Sequence, residues 1–506
     1  MLTSLSLSVQ CRSLAALASA VLLSFAVSCV KEPRTETVSS FKEPVPASGH
    51  GAIVVSGQSQ DPFSLENMQR ALSSLGGTSV LSPTHIYLRF LPSSAEDISA
   101  VSSLGVPLFD HPLDCAMDTD GDYYVDPSFS SSPYTWIYAV LPVRSSIPGG
   151  LSYEILHECH ISPGAKYSGN RTLSWEDIVA ESFRDAGYLS ENSSPSWHIP
   201  SGKITVKGAD QQGTDVPVPG LRVVMSEFTL VSSAFTEDDG TFASMVSFPG
   251  TVRHRADFSD GENFVGVGES RLPFCTWSLG WTAEEKCAFD LSSDFVSGCY
   301  KRVAAFLAIR DYISLVESED ITKVSLPDAF SVRFLPGLDS EGMPLMSGRG
   351  AKIPEELLEE YLPAGTGPLL SFSPDAVSGE GSGDDFAQVY ASVSKLTAAC
   401  SLFSVLGSTS WSRSVSGSLS AELYGGDPSS YGQSDEVIRM WSSLLAGIMY
   451  RQRFGRDMPR NAADKDYLLI LPEFYEKGTS LKEILSAISW RTTTAEELIS
   501  AISSKM

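Results

Sequence analysis

Histidine is scarce in this chain and confined to its first half. Only 7 of 506 residues are histidine, at positions 50, 85, 111, 157, 160, 198 and 254. A histidine-ligated zinc centre built from residues beyond 254 is therefore excluded. Cysteine occurs 8 times but never as Cys-x-x-Cys, which removes the usual spacing of a thiolate zinc site. There is no Gly-x-Ser-x-Gly nucleophile elbow and no phosphate-cradling glycine loop. Past the first 30 residues no apolar run reaches the roughly 20 residues that a membrane-spanning helix needs. Positive charge is also in short supply, with 36 Lys and Arg against 61 Asp and Glu and a net charge of −25. Nucleic acid and anionic lipid surfaces are poor partners for such a chain. The charge reads as a source of solubility.

What is present begins at the N-terminus. Arg12 precedes an apolar run from Leu14 through Phe25, which ends in Ala26-Val27-Ser28-Cys29. A basic start, a short apolar core and small residues before a cysteine make up a bacterial lipoprotein signal peptide. On this reading residues 1–28 are removed and Cys29 carries the acyl chains. Each buried CH2 contributes about 0.8 kcal/mol, so several chains hold a protein on a membrane. The expected location is the cell envelope, as an outer-membrane lipoprotein, and Lys31-Glu32 just after the cysteine hints at surface exposure. The plainer alternative is a secretory signal with an incidental cysteine.

The remaining length suits two to four domains. Residues 29–58 are polar and rich in Pro, Ser and Gly, and read as a flexible tether. In 59–198, Ser64 caps a helix through Met68 and Leu72, Thr84–Phe90 alternates as a strand, and Ser94–Leu104 reads as a second helix. The spacing predicts an α+β domain there. Between 199 and 295, short strands are punctuated by Gly, Pro and Asp, with Asp239-Gly240 predicting a hairpin, so a β-sandwich is expected. From 296 to 506 helices dominate: Tyr300–Val316, a helix from Asp385 to a stop at Gly407, and one from Glu436 to Gly455. The expected fold class is thus multidomain α+β, with an α+β N-terminal domain, a β-sandwich in the middle and a mainly α C-terminal domain.

Thr236-x-x-x-Gly240-x-Phe242, with Pro219-Gly220 before the second strand, resembles the carboxypeptidase regulatory-like domain. Further stretches, Asp61-Pro62-Phe63-Ser64-Leu65-Glu66-Asn67-Met68 and Pro83-Thr84-His85-Ile86-Tyr87-Leu88-Arg89-Phe90 among them, resemble Bacteroidota-type surface lipoproteins. Some of those are similar to zinc metallopeptidases. The resemblance implies a zincin-like C-terminal domain whose helix near 385–406 would carry His-Glu-x-x-His in active relatives. Such a motif sets two imidazoles on one helix face and a glutamate beside the bound water. Carried onto this chain, the two histidine positions are Ser394 and Ala398 and the glutamate is Lys395. The third ligand falls near Arg439. None of these residues binds zinc, so the resemblance implies a pseudoenzyme without metal or other cofactor.

Other candidates are weaker. His157-Glu158-Cys159-His160 mimics a metal motif, but on a strand positions 157 and 160 point to opposite faces. Asp118-Thr119-Asp120-Gly121-Asp122 lacks the distal glutamate of a calcium loop. Trp136, Trp277, Trp281, Trp411 and Trp441 are equally groove-lining and core candidates. The expected function is a binding or accessory module, with the membrane as one partner through the lipid and an unidentified peptide, glycan or protein as ligand. Two alternatives remain open: an active hydrolase using acids rather than histidine, and a structural or adhesive surface protein.

Overall fold

The computed structural model describes residues 52–505 apart from 122, 125, 130–133, 211–212, 260–265, 270–273, 293–298, 336–337, 339–341, 364–373, 380–384, 426–434, 460–465 and 493. The signal segment, Cys29 and most of the tether lie outside the described residues. Within them the fold is mixed α and β.

The first part of the chain supplies β1 (Val54–Gln58), α1 (Leu65–Ser74), β2 (His85–Phe90), α2 (Ala95–Ser102), β3 (Leu108–Phe109), β4 (Cys115–Thr119), β5 (Ile137–Pro142), β6 (Tyr153–Cys159), β7 (Lys166–Tyr167), β8 (Leu173–Ser174) and α3 (Trp175–Asp185). An antiparallel sheet runs in the order β3-β5-β2-β6. Alternation along β2 divides its side chains between two cores. Leu88 and Phe90 meet Val101 of α2, while Tyr87 joins Phe109, Tyr138, Cys159 and Val224 on the other face. As expected, the Ser64 hydroxyl caps α1 and Ser94 caps α2. The tether is shorter than expected, because its last residues form β1, which pairs antiparallel with β4. The apolar run Ile53-Val54-Val55 is too short, among polar residues, to read as a strand from the sequence.

Two four-stranded sheets follow. In one, β9 (Ser201–Val206) pairs with β10 (Val216–Pro217), β13 (Thr241–Ala243) and, in parallel, β17 (Lys286–Asp290). In the other, the order is β12 (Leu230–Phe235), β11 (Arg222–Glu227), β14 (Val252–Asp257) and β16 (Thr276–Thr282). His254 of the second sheet stands 5.4 Å from Phe289 and 6.3 Å from Phe242 of the first, ring centre to ring centre, so the sheets meet face to face. Asp239-Gly240 does not close a hairpin between paired strands. It carries the chain from β12 to β13 in the opposite sheet, and Gly240, at φ +79°, turns its carbonyl toward Ile204 N at 2.9 Å. The hairpin lies one step earlier, where Phe228-Thr229 joins β11 to β12 with Phe228 at φ +52°.

A further four-stranded sheet accompanies the helices that dominate the rest of the chain. Its order is β15 (Gly266–Glu269), β18 (Ser331–Leu335), β20 (Ala376–Gly379) and β19 (Met343–Pro344). The first three strands are parallel and β19 is an antiparallel edge. Residues 266–269, expected in the sandwich, belong to this sheet instead. Parallel neighbours need crossovers, and α4 (Cys299–Ser318) supplies the one between β15 and β18. The helices α5 (Glu355–Tyr361), α6 (Phe386–Ser401), α7 (Phe403–Tyr424), α8 (Asp435–Phe454), α9 (Ile470–Glu476), α10 (Leu481–Ala487) and α11 (Ala495–Ser503) complete the chain. α6 packs against both α4 and α8. It ends before Gly407, and α7 leaves it at a bend of 96°. Among the described residues no single helix is long and apolar enough to cross a membrane.

Candidate functional site

Helix α6 is set by its start. Asp385 and Gln388 exchange side chain-to-backbone hydrogen bonds of 2.8 Å in a capping box. Residues 390, 393, 394, 397, 398 and 401 then form a fully buried stripe with the 3.6-residue period of a helix. Ser394 and Ala398 belong to this stripe, at 0 % exposure. Among the described residues the buried Ser394 hydroxyl has no hydrogen-bond partner, and neither residue lines the two clefts beside α6. Trp441 of α8 covers the end of the stripe, with Nε1 3.4 Å from Ser401 Oγ.

The other edge of α6 lines a cleft of about 310 Å³ with β19, α7 and α8. Lys395 and Arg439, two of the four carried-over positions, both line it. Lys395 also lines an adjoining cleft of about 590 Å³ between α8 and α9. The α6 residues that meet the first cleft are Ser392, Lys395, Leu396 and Ala399. The open face is therefore one residue on from the one that Ser394 and Ala398 define, a rotation of about 100° on a helix that sequence alone does not fix.

Charge in this cleft comes in pairs. Arg439, its side chain 49 % exposed, donates Nε to Asp435 Oδ2 at 2.7 Å one turn earlier, and the Ser418 hydroxyl donates to the same carboxylate. Burial pushes the Glu422 carboxyl up, against the pull of Arg439. Lys395 and Arg439 bring two cations to the cleft, beside the carboxyl groups of Glu422 and Asp435. The acids Glu422 and Asp435 are the residues that sequence reasoning missed. They lie on α7 and α8, outside the motif that drew attention to the helix.

The remaining candidates are placed as follows. Trp411 and Trp441 are core residues at 0 % exposure, and Trp277 is buried beneath Arg302. Trp136 packs on Arg89 at 4.0 Å, and Trp281 lies 6.0 Å from Arg253. The acidic turn near Asp118 is structural in part: Asp120 is buried and accepts from Arg253, and Ser278 Oγ donates to it at 2.8 Å. His160 and His157 point apart, as the strand period requires. His160 sits between Ser82 O and Tyr167 OH at 2.7 and 2.6 Å. His157 shares its face with Cys159, two residues on. Across from them Asp61 Oδ2 lies 2.8 Å from His157 Nε2 and accepts from Thr229 Oγ1 at 2.6 Å. The Cys159 thiol is fully buried and pushed well up by desolvation and by Asp61, so it is no free nucleophile. Sequence reasoning rejected the pairing of His157 with His160 but did not connect His157 with Asp61 or Cys159 with Thr229, which lie 96 and 70 residues apart in the chain.

Comparison with protein families, with curated proteins and with solved structures finds no match to this chain.

Proposed function

We propose that this chain is an outer-membrane lipoprotein of the cell envelope, held through Cys29, whose C-terminal cleft binds a polypeptide rather than cleaving it. The observation that carries the second half is the cleft beside the antiparallel edge strand β19. It is bounded by Lys395 and Arg439, two residues unsuited to zinc at the positions where a peptidase would hold it. The resemblance of the sequence to zincin-like lipoproteins, with Ser394, Lys395 and Ala398 at the motif positions, supports the same reading. Fold retained without its chemistry is common.

Two measurements test the proposal. The purified chain cleaves no casein in a manner that a chelator abolishes; chelator-sensitive cleavage overturns the binding reading. Cys29→Ser, expressed in a bacterial host with lipoprotein processing, moves the chain from the membrane pellet to the soluble fraction. If the variant stays with the membrane, the lipid anchor is wrong.

A second reading draws on Glu422 and Asp435. Burial favours the protonated form of the first, and the second is paired with Arg439 at 2.7 Å; two carboxyl groups in different surroundings are what an acid–base hydrolase uses. It predicts glycan hydrolysis that Glu422→Gln abolishes.

A further inference from the structure

We propose that Asp61, His157 and Cys159 form a zinc site on the floor of a second cleft, far in sequence from the C-terminal one. One donor atom from each residue, a carboxylate oxygen, an imidazole nitrogen and the thiol sulfur, lies within 4.8 Å of the other two. Bond lengths of about 2.0–2.3 Å to zinc put tetrahedral ligand atoms about 3.3–3.7 Å apart, so closing on the ion requires shifts of about an ångström. One thiolate, one imidazole and one carboxylate together suit a borderline ion such as zinc and not calcium or magnesium, which take oxygen donors. Three protein ligands leave a fourth position open.

The fold holds these ligands ready. His157 and Cys159 share a face of β6 by the two-residue strand period, in continuous register with Tyr87 and His85 of β2. The Tyr87 ring stands edge-on to His157 at 5.1 Å. Asp61 is fixed through both oxygens: Phe63 N donates to Oδ1 at 3.0 Å, and Thr229 Oγ1 donates to Oδ2. Thr229 also lies 3.6 Å from Cys159 Sγ, so one hydroxyl orients two ligands, the outer-shell role that tunes metal sites. It is delivered by the β11–β12 hairpin, whose Phe228 takes an unfavourable positive φ and is held there by Tyr188 at 4.8 Å and Phe183 at 6.0 Å. Backbone strain of this kind gathers at functional sites. Cys159 is sealed beneath, but His157 opens onto a cleft of about 810 Å³ that Glu66, Asp114 and Glu158 also line. Arg70 lines the cleft too and pairs with Glu66 at 3.1 Å, so it is Asp114 and Glu158 whose charge favours entry of a cation.

Binding is a proton exchange. Zinc forms a bond to Cys159 sulfur as the thiol proton leaves to solvent. It takes Nε2 of His157 in place of the hydrogen bond to Asp61: the Nε2 proton leaves to solvent and Nδ1 takes one up, so the ring stays neutral. No oxidant or reductant is involved.

The test uses the full chain in detergent, titrated with Zn2+ against a chromophoric chelator and, separately, with Co2+. One equivalent of zinc binds, and cobalt gives the near-ultraviolet thiolate charge-transfer band. Cys159→Ser removes that band and the zinc equivalent, while Cys287→Ser, another buried thiol, keeps both. Thr229→Val weakens binding about 10- to 100-fold, and circular dichroism reports whether each variant is folded. Failure of the wild-type chain to bind zinc overturns the site, as does full binding by Cys159→Ser. In the latter case the ion sits elsewhere, and the metal-free reading of the C-terminal cleft falls only if chelator-sensitive proteolysis accompanies it.

Discussion

Arg253→Met lowers the unfolding free energy by about 3–5 kcal/mol, the cost of leaving buried charges without their partner. Arg253 lies on β14 with its side chain 2 % exposed, and it crosses from the sandwich to the loops around β4. One guanidinium nitrogen stands 2.7 Å from His111 Nε2, and the other donates to Asp120 and to Gly121 O. His111 in turn holds Asp110 at 2.7 Å, and that carboxylate also accepts from Tyr124 N. Asp110 is kept ionised down to about pH 2, where burial is outweighed by the His111 hydrogen bond and by Arg255. Methionine fills the volume and supplies no charge, so Asp120 keeps only Ser278 and its own turn. Asp120→Asn in the Arg253→Met background recovers part of the loss, because removing both charges of a buried pair is far cheaper than removing one. Urea unfolding followed by near-ultraviolet circular dichroism measures both. A loss under about 1 kcal/mol for Arg253→Met would mean that water reaches this network and the two parts of the chain are held mainly by their apolar contacts.

The network shows what was legible in the sequence and what was not. Local signals read well. Ser64, Ser94 and Asp385 cap helices where their spacing places them, and the short strands between 201 and 290, apart from 266–269, pair into two sheets. Long-range relations did not read. Arg253 and Asp120 are 133 residues apart, Asp61 and Thr229 168, and neither pair carries a period or a motif. Asp239-Gly240 gave the right turn chemistry but the wrong connection, since a turn sets local geometry and not the sheet that the next strand joins. Met343-Pro344 and Gly266–Glu269 are too short and too rich in Gly and Pro to read as strands, yet they are the two edges of the sheet behind the C-terminal cleft. Lys395 and Arg439 were found, and Glu422 was not, because a resemblance points to motif positions and says nothing of the residues that surround them.

Glu227→Gln makes the chain more resistant to unfolding in alkali and leaves it nearly unchanged in acid. Glu227 ends β11 with 8 % of its surface exposed, and among the described residues its carboxyl accepts only from Gly250 N, at 3.1 Å. Burial raises its pKa from 4.5 to about 8. The folded state thus holds a proton that the unfolded chain gives up above pH 4.5. The stability this group contributes is fully present below pH 4.5 and is lost as pH rises toward 8, by about 4–5 kcal/mol at most. Glutamine keeps the shape and cannot titrate, so the difference between variant and wild type grows with pH through this window and is flat beyond it. The buried histidines bend the profile the other way. His111 and His254 are lowered from 6.5 to about 4, chiefly by burial, so the unfolded chain takes protons first as pH falls from 6.5. Each histidine then costs about 3 kcal/mol by pH 4. Because the glutamine variant is compared with wild type at each pH, those histidine contributions cancel and Glu227 is read alone. A difference that does not change between pH 4 and 9 would show that Glu227 is solvated, and that the turn at Gly250 opens to water in solution.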